Sequence, residues 1–217
     1  MKKTHIKICC VSSVQEANLA IKYGASALGL VGNMPSGPGI ISDSLIAEIA
    51  CEVPKHIQTF LLTSETKVED ILKHYSKVNT TTIQIVDALT EGTHQQLKNE
   101  LPTVKIVQVL HILNESSIEE ALQISKNVDV ILLDSGNPNL KTKELGGTGR
   151  VHNWEISKKI VENVKVPVFL AGGINQLNAT EAIEKVQPYG LDLCSGVRTN
   201  GNLDETKLKA FFDAIKQ

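Results

Sequence analysis

Val104-Lys105-Ile106-Val107-Gln108-Val109-Leu110, then Ser116-Ser117-Ile118-Glu119, then Asp129-Val130-Ile131-Leu132-Leu133: this stretch sets the rhythm of the whole chain. Val, Ile and Leu fill both flanking runs, as in parallel strands covered on two faces. Between them, Ser116 with Glu119 three positions on supplies acceptors for the free N–H groups of a helix start. The stretch is predicted to be a strand, a helix and a strand.

Outward from it, the same alternation occurs eight times, with apolar runs at 5–9, 26–31, 57–62, 81–86, 104–110, 129–133, 167–171 and 190–194. Ser13 with Glu16, Thr66 with Glu69 and Asn178 with Glu181 repeat the helix-start pattern. Gly24, Pro54 after Val53, and Pro188 after Gln187 mark helix stops. Strict alternation implies a parallel sheet, either open or closed. Eight units of about 27 residues favour closure, which also removes exposed edge strands. An open dinucleotide-binding sheet needs G-x-G-x-x-G after its first strand, and Cys9-Cys10-Val11-Ser12-Ser13 is nothing like it. The expected fold is a (β/α)8 TIM barrel, one domain over 1–217.

Composition narrows the function. The 217 residues are 41% hydrophobic and 21% charged, enough apolar content for a large core. Net charge is -2 and no basic stripe carries interleaved aromatics, which argues against nucleic acid. No apolar run reaches the roughly 20 residues of a membrane span. Met1-Lys2-Lys3 has the charge of a signal-peptide start, but Ile6-Lys7-Ile8-Cys9 is short and broken by lysine, so a cytosolic location is expected. Cys9, Cys10, Cys51 and Cys194 lack C-x-x-C spacing, and neighbours on a strand point to opposite faces. Reduced thiols, with no metal and no disulfide framework, are expected. The oligomeric state stays open, because outer barrel helices can be solvated or paired.

Two long loops, 32–41 and 135–153, fall on the C-terminal face, where barrel enzymes hold their chemistry. Gly172-Gly173 and Ser195-Gly196 follow strands seven and eight. Glycine lets backbone N–H groups approach an anion, so a phosphate site there is a better reading than two ordinary turns. Cys9 closes strand one and Asp134 closes strand six. By pattern alone Cys9 could be a small buried hydrophobe, and Asp134 either a turn residue or a proton donor. Gly146-Gly147-Thr148-Gly149-Arg150 could form a lid, though it lacks the lysine and strand of a P-loop. The histidines show no metal-binding pairing; His111, at the end of strand five, is expected to be structural or on the surface. Trp154 follows the probable cap Asn153 and is expected to anchor helix six.

Lys7-Ile8-Cys9, Leu132-Leu133-Asp134-Ser135, Gly146-Gly147-Thr148-Gly149, Leu170-Ala171-Gly172-Gly173 and Asp192-Leu193-Cys194-Ser195-Gly196-Val197 together resemble the phosphoribosylanthranilate isomerase family of tryptophan biosynthesis, over nearly the whole chain. The resemblance implies an Amadori rearrangement of a small phosphorylated sugar-amine, without metal or organic cofactor. Asp134 would be the general acid that opens the furanose, and Cys9 the base at C2′. Gly172, Gly173, Ser195 and Gly196 would hold the phosphate, with Gly147 and Asp192 completing the substrate-binding set.

Three departures accompany the resemblance. Cys10 stands where the family has glycine. Met34-Pro35-Ser36-Gly37-Pro38-Gly39 replaces a Tyr-Pro-Lys-Ser-Pro-Arg type loop, putting Gly39 in place of the arginine that meets the anthranilate carboxylate. Losing such a charge-assisted bond costs roughly 1.5–3 kcal/mol. Strand four ends Gln84-Ile85-Val86-Asp87 rather than Gln-Leu-His-Gly. Preserved chemistry with altered aglycone recognition is the expectation, Arg150 and Arg198 being possible replacement cations. The alternatives are the same rearrangement on another phosphoribosyl amine, or a phosphosugar-binding barrel without catalysis.

Overall fold

A computed structural model describes residues 4–216; Met1-Lys2-Lys3, which entered the signal-peptide reading, and Gln217 lie outside them. Eight parallel strands close into a barrel in chain order. They are β1 His5–Ile8, β2 Ala27–Val31, β3 Gln58–Thr63, β4 Thr82–Ile85, β5 Lys105–His111, β6 Val130–Asp134, β7 Val168–Leu170 and β8 Gly190–Leu193. Closure is made by β1 and β8, with Ile6 opposite Leu191 and Ile8 opposite Leu193. The helices are α1 Val14–Tyr23, α2 Asp43–Glu52, α3 Val68–Tyr75, α4 His94–Glu100, α5 Ser116–Ile124, α6 Trp154–Asn163, α7 Ala179–Val186 and α8 Glu205–Ile215. A short ribbon, β9 Arg198–Thr199 and β10 Asn202–Leu203, precedes α8. Every expected strand is present, its ends within a residue or two.

Strand alternation divides the core in two. On β6, Ile131 and Leu133 face the helices, while Val130 and Leu132 point into the barrel. The barrel interior also holds Phe60 and Phe169, packed edge to face at 6.1 Å. Among these apolar side chains sits Lys7, fully buried, 3.0 Å from the Asp192 carboxylate and 5.1 Å from the centre of the Phe60 ring. Burial works against the Lys7 charge, but Asp192 outweighs it and leaves the lysine pKa raised. Burial pushes the Asp192 carboxyl up, against the pull of Lys7.

The helix stops stand as read: Gly24 is left-handed at φ 118°, and α2 and α7 end just before Val53-Pro54 and Gln187-Pro188. Three helix starts differ. At α3 the cap position is Lys67, because Thr66 instead bonds Thr90 at 2.9 Å where two loops meet. At α5, Ser116 is already helical, and Asn114 Oδ1 accepts from its N–H at 2.8 Å. Asn178 does occupy the α7 cap, but its side chain turns back: Oδ1 accepts from Asn175 N, and Nδ2 donates to Gly173 O at 3.0 Å. That choice fixes the glycine turn after β7. Asn153 caps α6 as expected, and Trp154 is buried beneath it.

Candidate active site

The thiol of Cys9 and the carboxyl of Asp134 open into one cleft of about 700 Å³, including its mouth, at the C-terminal end of the barrel. Cys9 continues the β1 pairing through an N–H bond of 2.7 Å to Leu193 O and is 6% exposed. A Cβ at Gly29 would lie 2.7 Å from Cys9 Sγ and 3.1 Å from Lys7 Nζ, so β2 uses glycine to leave room for both. The sequence reading missed Gly29; its place inside an apolar strand was the available signal. Asp134, 7% exposed, accepts from Ser135 N at 2.7 Å through Oδ1. Its Oδ2 lies 2.7 Å from where a Gly146 side chain would begin, so the 135–153 loop lies over the carboxyl.

That loop is tied down at several points. Ser135 Oγ and Thr148 Oγ1 are 2.7 Å apart, and Ser36 of the 32–41 loop donates to Lys143 O at 2.6 Å. Gly147 is left-handed at φ 68°, and a side chain there would strike Pro38. Gly172 and Gly173 follow β7 with φ 80° and 66°, and a Cβ on Gly173 would stand 2.9 Å from the Arg150 carbonyl carbon. Asn175 and Asn178 both donate to Gly173 O at 3.0 Å and hold this turn.

Of the residues expected at the site, Cys9, Asp134, Gly147, Gly172, Gly173, Asp192 and Ser195 all line the cleft. Gly196 sits behind it, where a Cβ would meet Ile174 O at 2.0 Å, so close packing of two loops is what requires glycine there. His111 is directed away, with Nε2 3.2 Å from Val86 O, and lines a neighbouring groove instead. Among the described residues, no Lys, Arg or His lines the cleft.

Arg198 does not replace the missing cation. It is 8% exposed and committed beneath the site, to Cys9 O at 3.1 Å, Cys10 O at 2.6 Å and Glu16 Oε1 at 3.0 Å. It fixes the turn after β1. Arg150 pairs with Glu144 on the exposed side of its loop. Two departures from the family pattern meet in space: a Cβ on Gly39 would lie 2.5 Å from Cys10 Cβ. Cys10, left-handed at φ 62°, fills the space a side chain at 39 would need. Nothing in the sequence pairs those positions, which lie in different loops.

A chain of hydrogen bonds runs from buried Thr63 Oγ1 to His74 Nδ1 at 3.0 Å and from His74 Nε2 to the half-buried Asp43 Oδ1 at 3.1 Å. It resembles a catalytic triad in order only, since Thr63 is fully buried outside the cleft. Packed against Gly32, it anchors the start of the 32–41 loop.

The electrostatics favour a thiolate at Cys9. A hydrogen bond from the Cys10 thiol lowers the Cys9 pKa, and the Lys7 charge helps, against burial and the nearby Asp192. Cys10 itself is pushed well above the ordinary thiol range by its bonds to Cys194 and Cys9 and by burial, so it stays protonated. Burial lowers His152 to about 4, against the opposing effect of Asp134. It is therefore neutral near pH 7, with Nε2 2.7 Å from Ser157 Oγ.

A closed barrel with a glycine-rimmed cleft at the C-terminal end of its strands is the architecture of a small-molecule enzyme. A family model described as N-(5'phosphoribosyl)anthranilate (PRA) isomerase matches residues 6–214, and the chain belongs to that family. It is an isomerase by that membership. The chain is 34% identical over 213 residues to N-(5'-phosphoribosyl)anthranilate isomerase 2 of Methanosarcina mazei, covering 97% of this chain and 93% of that protein. It is 32% identical over 212 residues to the Bacillus mycoides isomerase, covering 98% of each. The structure of phosphoribosyl anthranilate isomerase from Thermotoga maritima superposes with a TM-score of 0.80 at 25% identity, over 99% of both chains.

Proposed function

We propose that this chain, as one barrel domain over 1–217, catalyses the Amadori rearrangement of N-(5'-phosphoribosyl)anthranilate in tryptophan biosynthesis, a cytosolic step of aromatic amino acid formation. The observation that carries the reading is the shared cleft of Cys9 and Asp134, rimmed by Gly172, Gly173 and Ser195. Asp134 gives its proton to the ring oxygen as the C1′–O bond breaks, and the nitrogen lone pair forms an iminium. The iminium acidifies the C2′ hydrogen, which the Cys9 thiolate removes. The resulting enolamine tautomerises to the amino-deoxyribulose phosphate. Cys10 and Lys7 favour the thiolate form of Cys9, the form that acts as the base.

Consecutive left-handed glycines at 172 and 173 make a concave backbone suited to the 5′-phosphate, with Ser195 lining the cleft from the neighbouring loop after β8. Gly147 contributes through the overlying loop, and Asp192, held by Lys7, reaches the sugar hydroxyls. Gly196 acts indirectly, by letting the β8 loop close on Ile174. The test is an assay of freshly generated substrate, followed by loss of anthranilate-type fluorescence. Robust turnover, lost about 100-fold or more in Cys9→Ala and Asp134→Asn, is expected. Turnover that ignores both substitutions contradicts the assigned roles, and phosphosugar binding without turnover points to the non-catalytic alternative.

A second reading has its own observation: among the described residues the cleft offers no cation to an aglycone carboxylate, and Gly39 is packed against Cys10. It predicts that a phosphoribosyl amine without the carboxylate is rearranged about as well as the anthranilate. A preference of tenfold or more for the anthranilate, on the order of 1.4 kcal/mol, rejects it.

A further inference from the structure

Neither Cys10 nor Cys194 exchanges a proton with the substrate in the chemistry above, yet their sulfurs stand 2.7 Å apart at the edge of the cleft. We propose that the two thiols are a modification site, oxidised by a small-molecule disulfide to a reversible Cys10–Cys194 disulfide beside the Cys9 sulfur. A covalent S–S bond is about 2.05 Å long, so closure needs a sulfur movement of only about 0.7 Å. The backbone supports it. Cys10 and Cys194 follow neighbouring strands, and such strands run about 4.8 Å apart, inside the Cα–Cα range of a disulfide. The Cys9 N–H bond to Leu193 O and the two Arg198 bonds to Cys9 O and Cys10 O hold that spacing. The left-handed φ of 62° at Cys10 turns its side chain toward Cys194, and Gly39 leaves the space it occupies.

Access runs through the cleft itself. Cys194 is half-buried and both thiols line the cleft, so a small disulfide that fits the site reaches Cys194 first. The Cys194 thiolate attacks one sulfur of the reagent, forming a mixed disulfide and releasing one thiol. The Cys10 sulfur, as its proton leaves, then attacks the Cys194 sulfur and releases the second thiol. The protein loses two electrons and two protons, and the reagent gains both as two thiols.

The consequence for activity rests on the reading of Cys9 as the base. The reduced Cys10 thiol donates to Cys9 and favours its thiolate. In the disulfide, Cys10 has no hydrogen to donate. Oxidation therefore withdraws support from the base without touching the glycine turn at 172 and 173. Cytosolic disulfides of this kind are transient and regulatory, in keeping with a pair that is reduced at rest.

The experiment incubates the full chain with graded ratios of oxidised to reduced glutathione, then blocks free thiols and measures intact and tryptic masses. The expected result is loss of two hydrogens and a cross-link between peptides 8–22 and 186–198, reversed by dithiothreitol. Cys194→Ser and, separately, Cys10→Gly, which suits the left-handed backbone, both abolish the cross-link. Glutathione adducts without a cross-link overturn the proposal, as does a cross-link that survives in Cys10→Gly and so runs through Cys9. In parallel, kcat of the oxidised protein at pH 7 falls about tenfold while KM holds. A cross-linked protein with undiminished kcat overturns the link to Cys9. The mass result stands apart from catalysis, so failure of the enzymatic reading and failure of the thiol pair are distinguishable.

Discussion

On the β6 to β8 side of the cleft, Asp134, Gly172, Gly173 and Ser195 stand where the sequence motifs place them, held by asparagine and serine bonds. On the β2 side, a loop with Gly37, Pro38 and Gly39 is shaped by contact with Cys10 and Gly147, and it brings no charge to the cleft. In the proposed reaction the first side, together with Cys9 at the end of β1, deals with groups common to every phosphoribosyl amine: a ring oxygen, a C2′ hydrogen and a phosphate. The second faces whatever the nitrogen carries. On that reading, reaction and recognition are built from separate loops of one barrel, so the second set can change while the first persists.

The largest effect that sharpens this contrast is chemical: Cys9→Ala and Asp134→Asn each reduce kcat by about 10²–10⁴ with little change in melting temperature. Replacing Lys7 by Met acts on stability as well as on Cys9. It leaves Asp192 buried without its ion pair, 3.0 Å away in the parent, and is expected to cost about 3–5 kcal/mol in urea unfolding.

An acid titration of stability tests the neighbouring histidine. His152 has a folded pKa of about 4 against the ordinary 6.5, so the unfolded chain binds the extra proton between those values. Stability is therefore retained above pH 6.5 and falls by roughly 3 kcal/mol as pH drops to 4; His152→Gln should flatten that slope.

Smaller effects probe the β2 side. Gly39→Ala meets Cys10 as well as an unfavourable φ of 80°, and is expected to destabilise by about 1–3 kcal/mol. Combining it with Cys10→Gly removes the contact and restores part of the loss, a coupling that a double-mutant cycle measures. Additive behaviour would break the claim that these two departures compensate each other. The smallest expected change is a rise of a few degrees in melting temperature with inorganic phosphate, lost when Gly173→Ala places a methyl group 2.9 Å from the Arg150 carbonyl carbon.

Period and punctuation made the barrel legible in the sequence. The apolar runs alternate with helix stops such as Gly24 and Pro54, and both signals are local. The helix starts at Thr66 and Ser116 differ because the Thr66 hydroxyl pairs with Thr90 and the Ser116 backbone N–H is met by Asn114, neither of which the local pattern registers. Cys9 and Asp134 were legible as strand ends, but their meeting in one cleft depends on closure of β1 against β8. The role of Arg198 was illegible for the same reason. An arginine with free sequence neighbours is, in the fold, the clamp on two carbonyls after β1. Gly39 read as a missing charge; only the packing shows it as the space that Cys10 fills.

Borohydride trapping during a single turnover examines the two central side chains separately. Asp134 is held to open the sugar and Cys9 to act only afterwards, so Cys9→Ala should accumulate the ring-opened iminium and yield its reduced amine, while Asp134→Asn yields none. Equal trapping in both variants, or an Asp134→Asn protein that still opens the ring at the parent rate, would contradict that division of labour.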